Sequence, residues 1–461
     1  MNKYKIAGLI FFAAAITLFF QACKIMQHYQ EPQGVASDSL YRDVHSQDTA
    51  NLAALSWQQL FSPKLQALIA EGVKNNFDLK IAQARIEAAQ ANFKQSKLAL
   101  LPSVGANASA AFQHLPNAET GYNQIYQLYA NASWEVDLWG KLRSAKRAEL
   151  AALEQSEAYK RYVQTQLVSE IASNYYLLES YDAQLDLTLK TVENRKEDVI
   201  AMQQLKESDV VTGAAVVQSE ANRYSVEVTI PDIKQSIRET ENAICILIGR
   251  NPETIDRDSL SQETILTDLP TGVPSQLLAN RPDIQEAEYQ LQNAFELTNV
   301  ARSYFYPSLN ITAQAGYYDN KLSNFFNWEN FLGNIIGGLT EPIFNNGLNK
   351  QRLAVANAQQ EEYLQDYKKI WLTAGQEVSD ALFQYQSAQE KVGVRGEEIA
   401  SLQKSVEYTE ALLRYTSSTN YTDVLTSEQS LLSAQLSSIS DRLQQLQAIV
   451  SLYTALGGGW K

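Results

Sequence analysis

The 461-residue chain is poor in the residues that build metal centres and disulfide frameworks. It contains three histidines, three methionines and two cysteines, Cys23 and Cys245. Zinc and iron–sulfur sites need clusters of His and Cys ligands, and a disulfide scaffold needs several cysteine pairs. We therefore expect no metal site, and the scarcity of methionine gives no support to a relay for soft metal ions.

Positive charge is also scarce. The chain has 38 Lys and Arg against 52 Asp and Glu, a net charge of −14. Nucleic-acid binding needs a phosphate-neutralising surface, so we expect no nucleic-acid partner. The sequence also lacks a His-Glu-x-x-His helix, a Gly-x-Ser-x-Gly elbow and a Walker loop. It therefore indicates neither an enzyme nor a cofactor.

Long apolar runs are confined to the N-terminus. Two lysines precede an apolar run at residues 6–20, which is typical of a secretory leader over residues 1–22 and short for a membrane-spanning helix. Cys23 directly follows an alanine, as in a bacterial lipoprotein signal, which predicts acylation of its thiol. The alternative is a plain cleaved leader followed by an incidental cysteine. Any further membrane crossing is expected to use strands.

Glycine and proline are absent from residues 141–212, which predicts one helix of 72 residues, about 108 Å long. No proline follows Gly347, and apolar residues there recur at steps of three and four. Helices of this length favour a coiled coil or a tubular helical bundle. Pro231 is expected to bend or break its helix.

Four segments show a different pattern, in which polar and apolar residues alternate. They are residues 104–110, 124–138, 308–317 and, less regularly, 331–344. A period of two predicts strands with one apolar face. Strands of about ten residues with aromatic residues near their ends suit a membrane-spanning sheet. A soluble sheet half-covered by helices would give the same alternation, and the pattern leaves both open.

The chain is an internal duplication. Pro102 recurs as Pro307 at an offset of 205 residues, and Gly140 recurs as Gly347 at an offset of 207. Each half therefore has a helix, a two-stranded hairpin, a long helix, a turn and a further helix. Four strands cannot close a barrel, so strands that cross a membrane require several protomers to pool them.

These features predict the domain boundaries. An N-terminal lipid-anchored extended segment follows the leader, and a linker separates the two repeats. The expected segments are 1–22 (lipoprotein signal peptide), 23–56 (anchored segment), 57–257 (first repeat, hairpin about 103–138), 258–273 (linker) and 274–461 (second repeat, hairpin about 308–344).

Five motifs carry a resemblance that covers essentially the whole mature chain. They are EVDLWG at 135–140, RPDI at 281–284, YPSL at 306–309, EPIFNNG at 341–347 and ALGGGW at 455–460. In this order and spacing, with the duplication and the lipoprotein-like start, the chain resembles the TolC-like outer-membrane efflux channels. It is most similar to the OprM-like lipoprotein branch that serves resistance-nodulation-division pumps.

The resemblance implies a mixed α and β membrane protein. In such a homotrimer, each protomer contributes four strands to a 12-stranded β-barrel in the outer membrane of a Gram-negative bacterium, and the long helices form an α-helical barrel or tunnel in the periplasm. The implied function is the passive exit duct of a tripartite efflux pump for small molecules such as drugs, detergents and metabolites. The implied partners are a periplasmic adaptor (membrane fusion) protein, an inner-membrane pump and the outer-membrane lipid bilayer.

Three other functions stay open. The same architecture serves type I protein secretion and heavy-metal efflux. A lipid-anchored periplasmic scaffold that does not conduct is the third alternative. The alternating strands argue against the scaffold, because a scaffold has no need of hairpins with one apolar face.

The duplication makes the turns near 209–213 and 418–423 equivalent. The resemblance places such turns at the inner end of the tunnel, where the channel closes and the adaptor docks. We expect the adaptor to contact the residues at the tips of these turns. They are Asp209, Thr212, Gly213, Ser418 and Asn420.

We expect Tyr421, Asp423 and Thr426 to line the aperture, and the alternative is that they are solvated residues at a helix end. Related channels carry a charged pair near here, but Thr426 and Gln429 at those positions are neutral. Closure would then use Asp423 or Glu428. Packing of Tyr415 against Tyr421 is the other possibility.

Overall fold

The computed structural model describes residues 26–32, 56–114, 122–263, 281–415 and 420–460. The predicted leader, Cys23 and Ser418 lie outside these residues, as do most of the predicted anchored segment and linker. The described chain combines helices with one four-stranded sheet. Its elements are α1 (Trp57–Leu60), α2 (Pro63–Asn75), α3 (Phe77–Leu98), β1 (Ser103–His114), β2 (Tyr122–Val136), α4 (Lys141–Glu207), α5 (Gly213–Glu227), α6 (Thr229–Ile248), α7 (Pro282–Ser303), β3 (Ser308–Asp319), β4 (Phe331–Thr340), α8 (Leu348–Tyr415) and α9 (Tyr421–Ala455).

The chain divides into two compact units. The strand unit comprises the described parts of residues 1–33, 84–157 and 285–369, and it contains all four strands. The helical unit comprises the described parts of residues 34–83, 158–284 and 370–461.

The sheet is antiparallel throughout, with strand order β1-β2-β3-β4. Asn131 of β2 pairs with Gly105 of β1 and with Gln314 of β3. Because side chains alternate along a strand, the polar residues predicted from the period of two lie on one face. On that face the Asn107 amide donates to Asn131 Oδ1 at 2.7 Å.

Two strands end before the predicted segments do. β2 ends at Val136 because the Asp137 carboxylate accepts hydrogen bonds from the first backbone N–H groups of α4, those of Leu142 and Arg143. β4 ends at Thr340, just before the segment that contains Pro342, which has no N–H to donate.

The duplication is visible in the element lengths. α3 and α7 both have 22 residues, β1 and β3 both have 12, and α4 and α8 have 67 and 68. Gly140 and Gly347, which precede the two long helices, have φ values of 78° and 79°. This left-handed conformation favours glycine, so the same residue recurs at both strand-to-helix turns.

The long helix α4 ends at Glu207 rather than at the predicted residue 212. Asp209 adopts a left-handed φ of 56°, and the Val210 N–H donates to the Leu205 carbonyl at 2.8 Å. This hydrogen bond closes the end of the helix. Asp tolerates the left-handed backbone conformation at residue 209 better than most residues do. The chain then turns at residues 208–212.

Pro231 interrupts the first repeat as predicted. α5 ends at Glu227 and α6 begins at Thr229, whereas α9 in the second repeat runs unbroken from Tyr421 to Ala455. Pro231 lies in the first turn of α6. Backbone N–H groups in a first turn have no acceptor within the helix, so proline costs no hydrogen bond there.

The core of the helical unit is formed by apolar side chains from several helices. Fully buried examples are Ile69 of α2, Ile171 and Tyr175 of α4, and Ile248 of α6. Their side chains are removed from water, which is the main favourable term in folding. No described helix has an apolar stretch long enough to cross a lipid bilayer.

Two of the sequence motifs meet in the helical unit. The buried Arg281 guanidinium of RPDI pairs with Asp283 at 2.7 Å and with Glu377 at 2.7 Å. It also donates to the carbonyl of Ala455, the first residue of ALGGGW, at 2.9 Å. A buried arginine with these partners holds three segments together, which supports a structural role for the motif.

Candidate functional site

The turn between α8 and α9 ends in a capping box at the start of α9. The Asn420 side chain accepts a hydrogen bond from the Asp423 N–H at 3.2 Å, and the Asp423 carboxylate accepts one from the Asn420 N–H at 3.3 Å. Two backbone donors at the helix start are thereby satisfied, and the negative charge lies at the positive end of the helix dipole. Asp423 therefore stabilises the turn.

A buried apolar cluster joins the two turns. Tyr421 of α9 packs with Met202 of α4 and Val216 of α5, and all three are less than a tenth exposed. Partly buried apolar residues surround this turn cluster, including Leu205 and Leu413. Helices from both repeats are thus held to one another near their ends.

A buried ion pair lies next to the turn cluster. Arg195 of α4 pairs with Glu428 of α9, and their side chains are 3% and 15% exposed. Asp198 on α4 and Glu410 on α8 also act on Glu428 electrostatically. The pair joins a helix of the first repeat to one of the second.

Burial raises the pKa of Glu428 from its ordinary value to about 7, because the charged carboxylate loses water. Asp198 and Glu410 raise this pKa further, and Arg195 opposes the rise. Burial also raises the pKa of Tyr421, whose hydroxyl lies beside Ser219. Glu428 is therefore placed to change charge close to neutral pH.

The structure separates the predicted aperture residues. The Tyr421 side chain is buried in the turn cluster, whereas Asp423 and Thr426 are exposed. The Thr426 hydroxyl donates to the Thr422 carbonyl one turn earlier, at 2.8 Å. Tyr415, the other tyrosine considered for closure, is 83% exposed.

The predicted adaptor-contacting residues that the structure describes are all exposed: Asp209, Thr212, Gly213 and Asn420. Thr212 and Asn420 line one cavity of about 570 Å³ together with Tyr421. Asp209 and Gly213 do not line it. Ser418 lies outside the described residues.

Arg195 was missed by the sequence analysis, although the sequence contains a signal for it. Val192, Val199 and Met202 are buried on the same helix. With Arg195 they form one stripe, in which successive residues are three, four and three positions apart. A lone arginine in an apolar stripe needs a buried partner. Its partner comes from the other repeat, so the stripe alone could not identify Glu428.

The fold is that of outer-membrane channels. The structure of the open state of the MtrE outer membrane channel of Neisseria gonorrhoeae matches with a TM-score of 0.85 and 25% sequence identity, over 95% of this chain and 98% of MtrE. The model of the outer membrane efflux protein family matches residues 68–250 and 273–458. The chain belongs to the outer membrane efflux protein family, and the predicted family and the predicted combination of long helices with four strands are confirmed.

Two relatives show the breadth of this family. The chain is 30% identical to the antibiotic efflux pump outer membrane protein ArpC of Pseudomonas putida, over 97% of this chain and 95% of ArpC. It is 28% identical to the cation efflux system protein CusC of Escherichia coli, over 96% of this chain and 98% of CusC. Both are components of efflux systems.

Proposed function

We propose that this protein is the outer-membrane exit duct of a tripartite efflux pump, a passive channel that carries small molecules from the periplasm to the outside. One observation carries the proposal. The antiparallel sheet is apolar on one face and, over β1 to β3, largely polar on the other, and β1 and β4 are its outer strands. Such a sheet suits a wall with lipid on one side and water on the other.

The sheet requires partners to close. An outer strand left open in lipid has unpaired backbone groups that cost several kcal/mol each. Three copies would pool twelve strands, which is enough for a closed barrel. We therefore propose a homotrimer. The strands contain only two acidic residues, Glu135 and Asp319, and no Lys or Arg, so the lumen they enclose would be largely neutral.

The proposed location is the outer membrane of a Gram-negative bacterium, with an acyl anchor on Cys23 and the helices extending into the periplasm. The described residues that follow Cys23 most closely are held against α7 and the turn before α4. Gln27 exchanges two hydrogen bonds with the Asn299 side chain, of 3.3 and 3.0 Å, and Met26 lies beside Gly140.

The proposed partners are a periplasmic adaptor protein and an inner-membrane pump. We propose that the duct is not an enzyme and that the pump supplies the energy. The exposed tips at Asp209, Thr212, Gly213 and Asn420 would contact the adaptor. Asp423 and Thr426 would face the aperture, which the turn cluster holds in place.

The test is export in a strain that lacks its own duct, together with conductance of the purified protein in a planar bilayer. Restored resistance to several unrelated antibiotics, with stepwise conductance, supports the proposal. The similarity to the cation efflux system protein CusC favours heavy-metal cations as a second candidate cargo, so tolerance to heavy-metal cations is measured in parallel. A protein that restores only secretion of a polypeptide would be a type I secretion duct. One that never conducts would be a scaffold.

A further inference from the structure

Basic and apolar side chains concentrate where the helices meet the strands. We name this surface the junction belt. Its basic members are Lys94, Lys97, Lys146, Lys350 and Arg352, and its exposed apolar members are Leu98, Leu101, Phe305, Ile343 and Phe344. All ten residues belong to the strand unit.

Contacts tie the ends of these helices to one another or to the sheet. The Tyr304 ring, just after α7, lies 5.0 Å from Lys141 Nζ of α4 and 4.6 Å from Arg352 Cζ of α8. The Trp134 indole of β2 donates to the Leu100 carbonyl, just after α3, at 3.0 Å. The ends of all four helices are thus tied to the same end of the sheet.

The charge of the belt is opposite to that of the chain. The eight residues nearest to the strands in each of α3, α4, α7 and α8 together include nine Lys or Arg and one Glu. The whole chain has 52 acidic and 38 basic residues. Positive charge is therefore locally in excess at the ends of these four helices that lie nearest to the strands.

Internal pairing accounts for only part of this charge. Three ion pairs are formed: Lys141–Glu135 at 2.8 Å, Arg143–Asp137 at 3.0 Å and Arg147–Glu296 at 2.6 Å. Within the described residues, the five basic members of the belt have no carboxylate partner. Lys146 is half-buried, and the other four are exposed.

Lys97 lies in the last turn of α3, where the helix dipole favours positive charge, but helix stability does not explain the basic residues at the starts of α4 and α8. α4 and α8 begin at the belt, and neither has an acidic residue in its first turn. Lys350 and Arg352 lie near the start of α8, where the helix dipole disfavours positive charge. Their position is unfavourable for the isolated helix, so it suits an external negative charge.

We infer that the junction belt binds the phosphate groups of anionic phospholipids in the inner leaflet of the membrane that the strands cross. This inference rests on the proposed function, because it needs the sheet in a bilayer. The exposed apolar members would reach the acyl boundary, and the long basic side chains would extend to the phosphates. Each Lys or Arg near an anionic surface strengthens binding by about fivefold.

The test compares two triple variants of the full-length protein in an uncharged detergent. The belt variant carries Lys97→Gln, Lys350→Gln and Arg352→Gln. The control carries Lys74→Gln, Lys234→Gln and Lys404→Gln, which remove the same charge from exposed positions of the helical unit. Native mass spectrometry counts bound phosphatidylglycerol and phosphatidylcholine and reports whether the assembly is intact.

We expect the wild type and the control to prefer phosphatidylglycerol, and the belt variant to lose at least tenfold of that preference while its assembly stays intact. Equal preference in the belt variant and the wild type would overturn the inference. Displacement of the lipid by millimolar inorganic phosphate would also overturn it, because the site would then bind free phosphate. Conductance measurements separate the two proposals. A belt variant that conducts but has lost its lipid preference supports both the channel and the lipid site. A wild type that does not conduct would refute the proposed function.

Discussion

Removal of the Arg195 guanidinium tests whether the buried ion pair holds the two repeats together at the turns. Arg195→Ala leaves Glu428 buried near Asp198 and Glu410. Loss of one partner from a buried pair costs about 3–5 kcal/mol. The lower figure applies here, because a carboxyl whose pKa is already about 7 can become neutral and avoid part of the cost.

A loss of about 3 kcal/mol changes the local opening equilibrium by roughly 150-fold. Hydrogen exchange followed by mass spectrometry measures this directly. We expect amides in the first turns of α9 to exchange about 150-fold faster in Arg195→Ala than in the wild type, while the sheet stays protected.

Lys190→Ala is the matched control on the same helix. Lys190 pairs with Asp186 at 2.6 Å, but their side chains are 71% and 65% exposed. Exposed pairs of this kind contribute about 0.5 kcal/mol or less, so exchange in α9 should stay nearly unchanged. Equal exchange rates in the two variants would refute the role of the Arg195–Glu428 pair.

Three further predictions follow from the structure. Burial raises the pKa of Glu428 from its ordinary value of 4.5 to about 7, so the packed turns hold the proton more tightly than opened turns would. Open time in a planar bilayer should therefore rise as the pH increases from about 4.5 to about 7, and Glu428→Gln should remove this dependence. Gly140→Ala places a residue with a side chain at a left-handed backbone position, so it should destabilise the protein by about 1–2 kcal/mol and lower the melting temperature. Its control, Gly393→Ala on α8, has open space around it and should be neutral or stabilising. Gly316→Ala places a methyl group against the β2 backbone and should prevent assembly on a native gel, whereas Gly337→Ala meets no atom within 4 Å and should assemble normally.

The repeated architecture could be predicted because its signals are local. Alternation at residues 308–317 predicts β3, and the absence of glycine and proline predicts α4. Gly140 and Gly347 mark equivalent turns because the left-handed backbone restricts the choice of residue at both places. The strand and helix predictions depend on neighbouring residues only, and the repeat adds a second copy of each signal.

The candidate site was harder to predict because its contacts join distant segments. The Arg195–Glu428 pair needs one residue from each repeat, and a single sequence does not show which helices are neighbours. Asp423 is different. Its capping box with Asn420 is readable from the spacing of three residues, whereas the resemblance implies a place at the aperture.

The most direct test of the proposed channel is an electron cryo-microscopy structure of the detergent-extracted protein. We expect three copies around a three-fold axis, with β1 of one copy paired to β4 of the next and a closed wall of twelve strands. A monomer, or an assembly in which β1 and β4 remain unpaired, would contradict the exit-duct proposal.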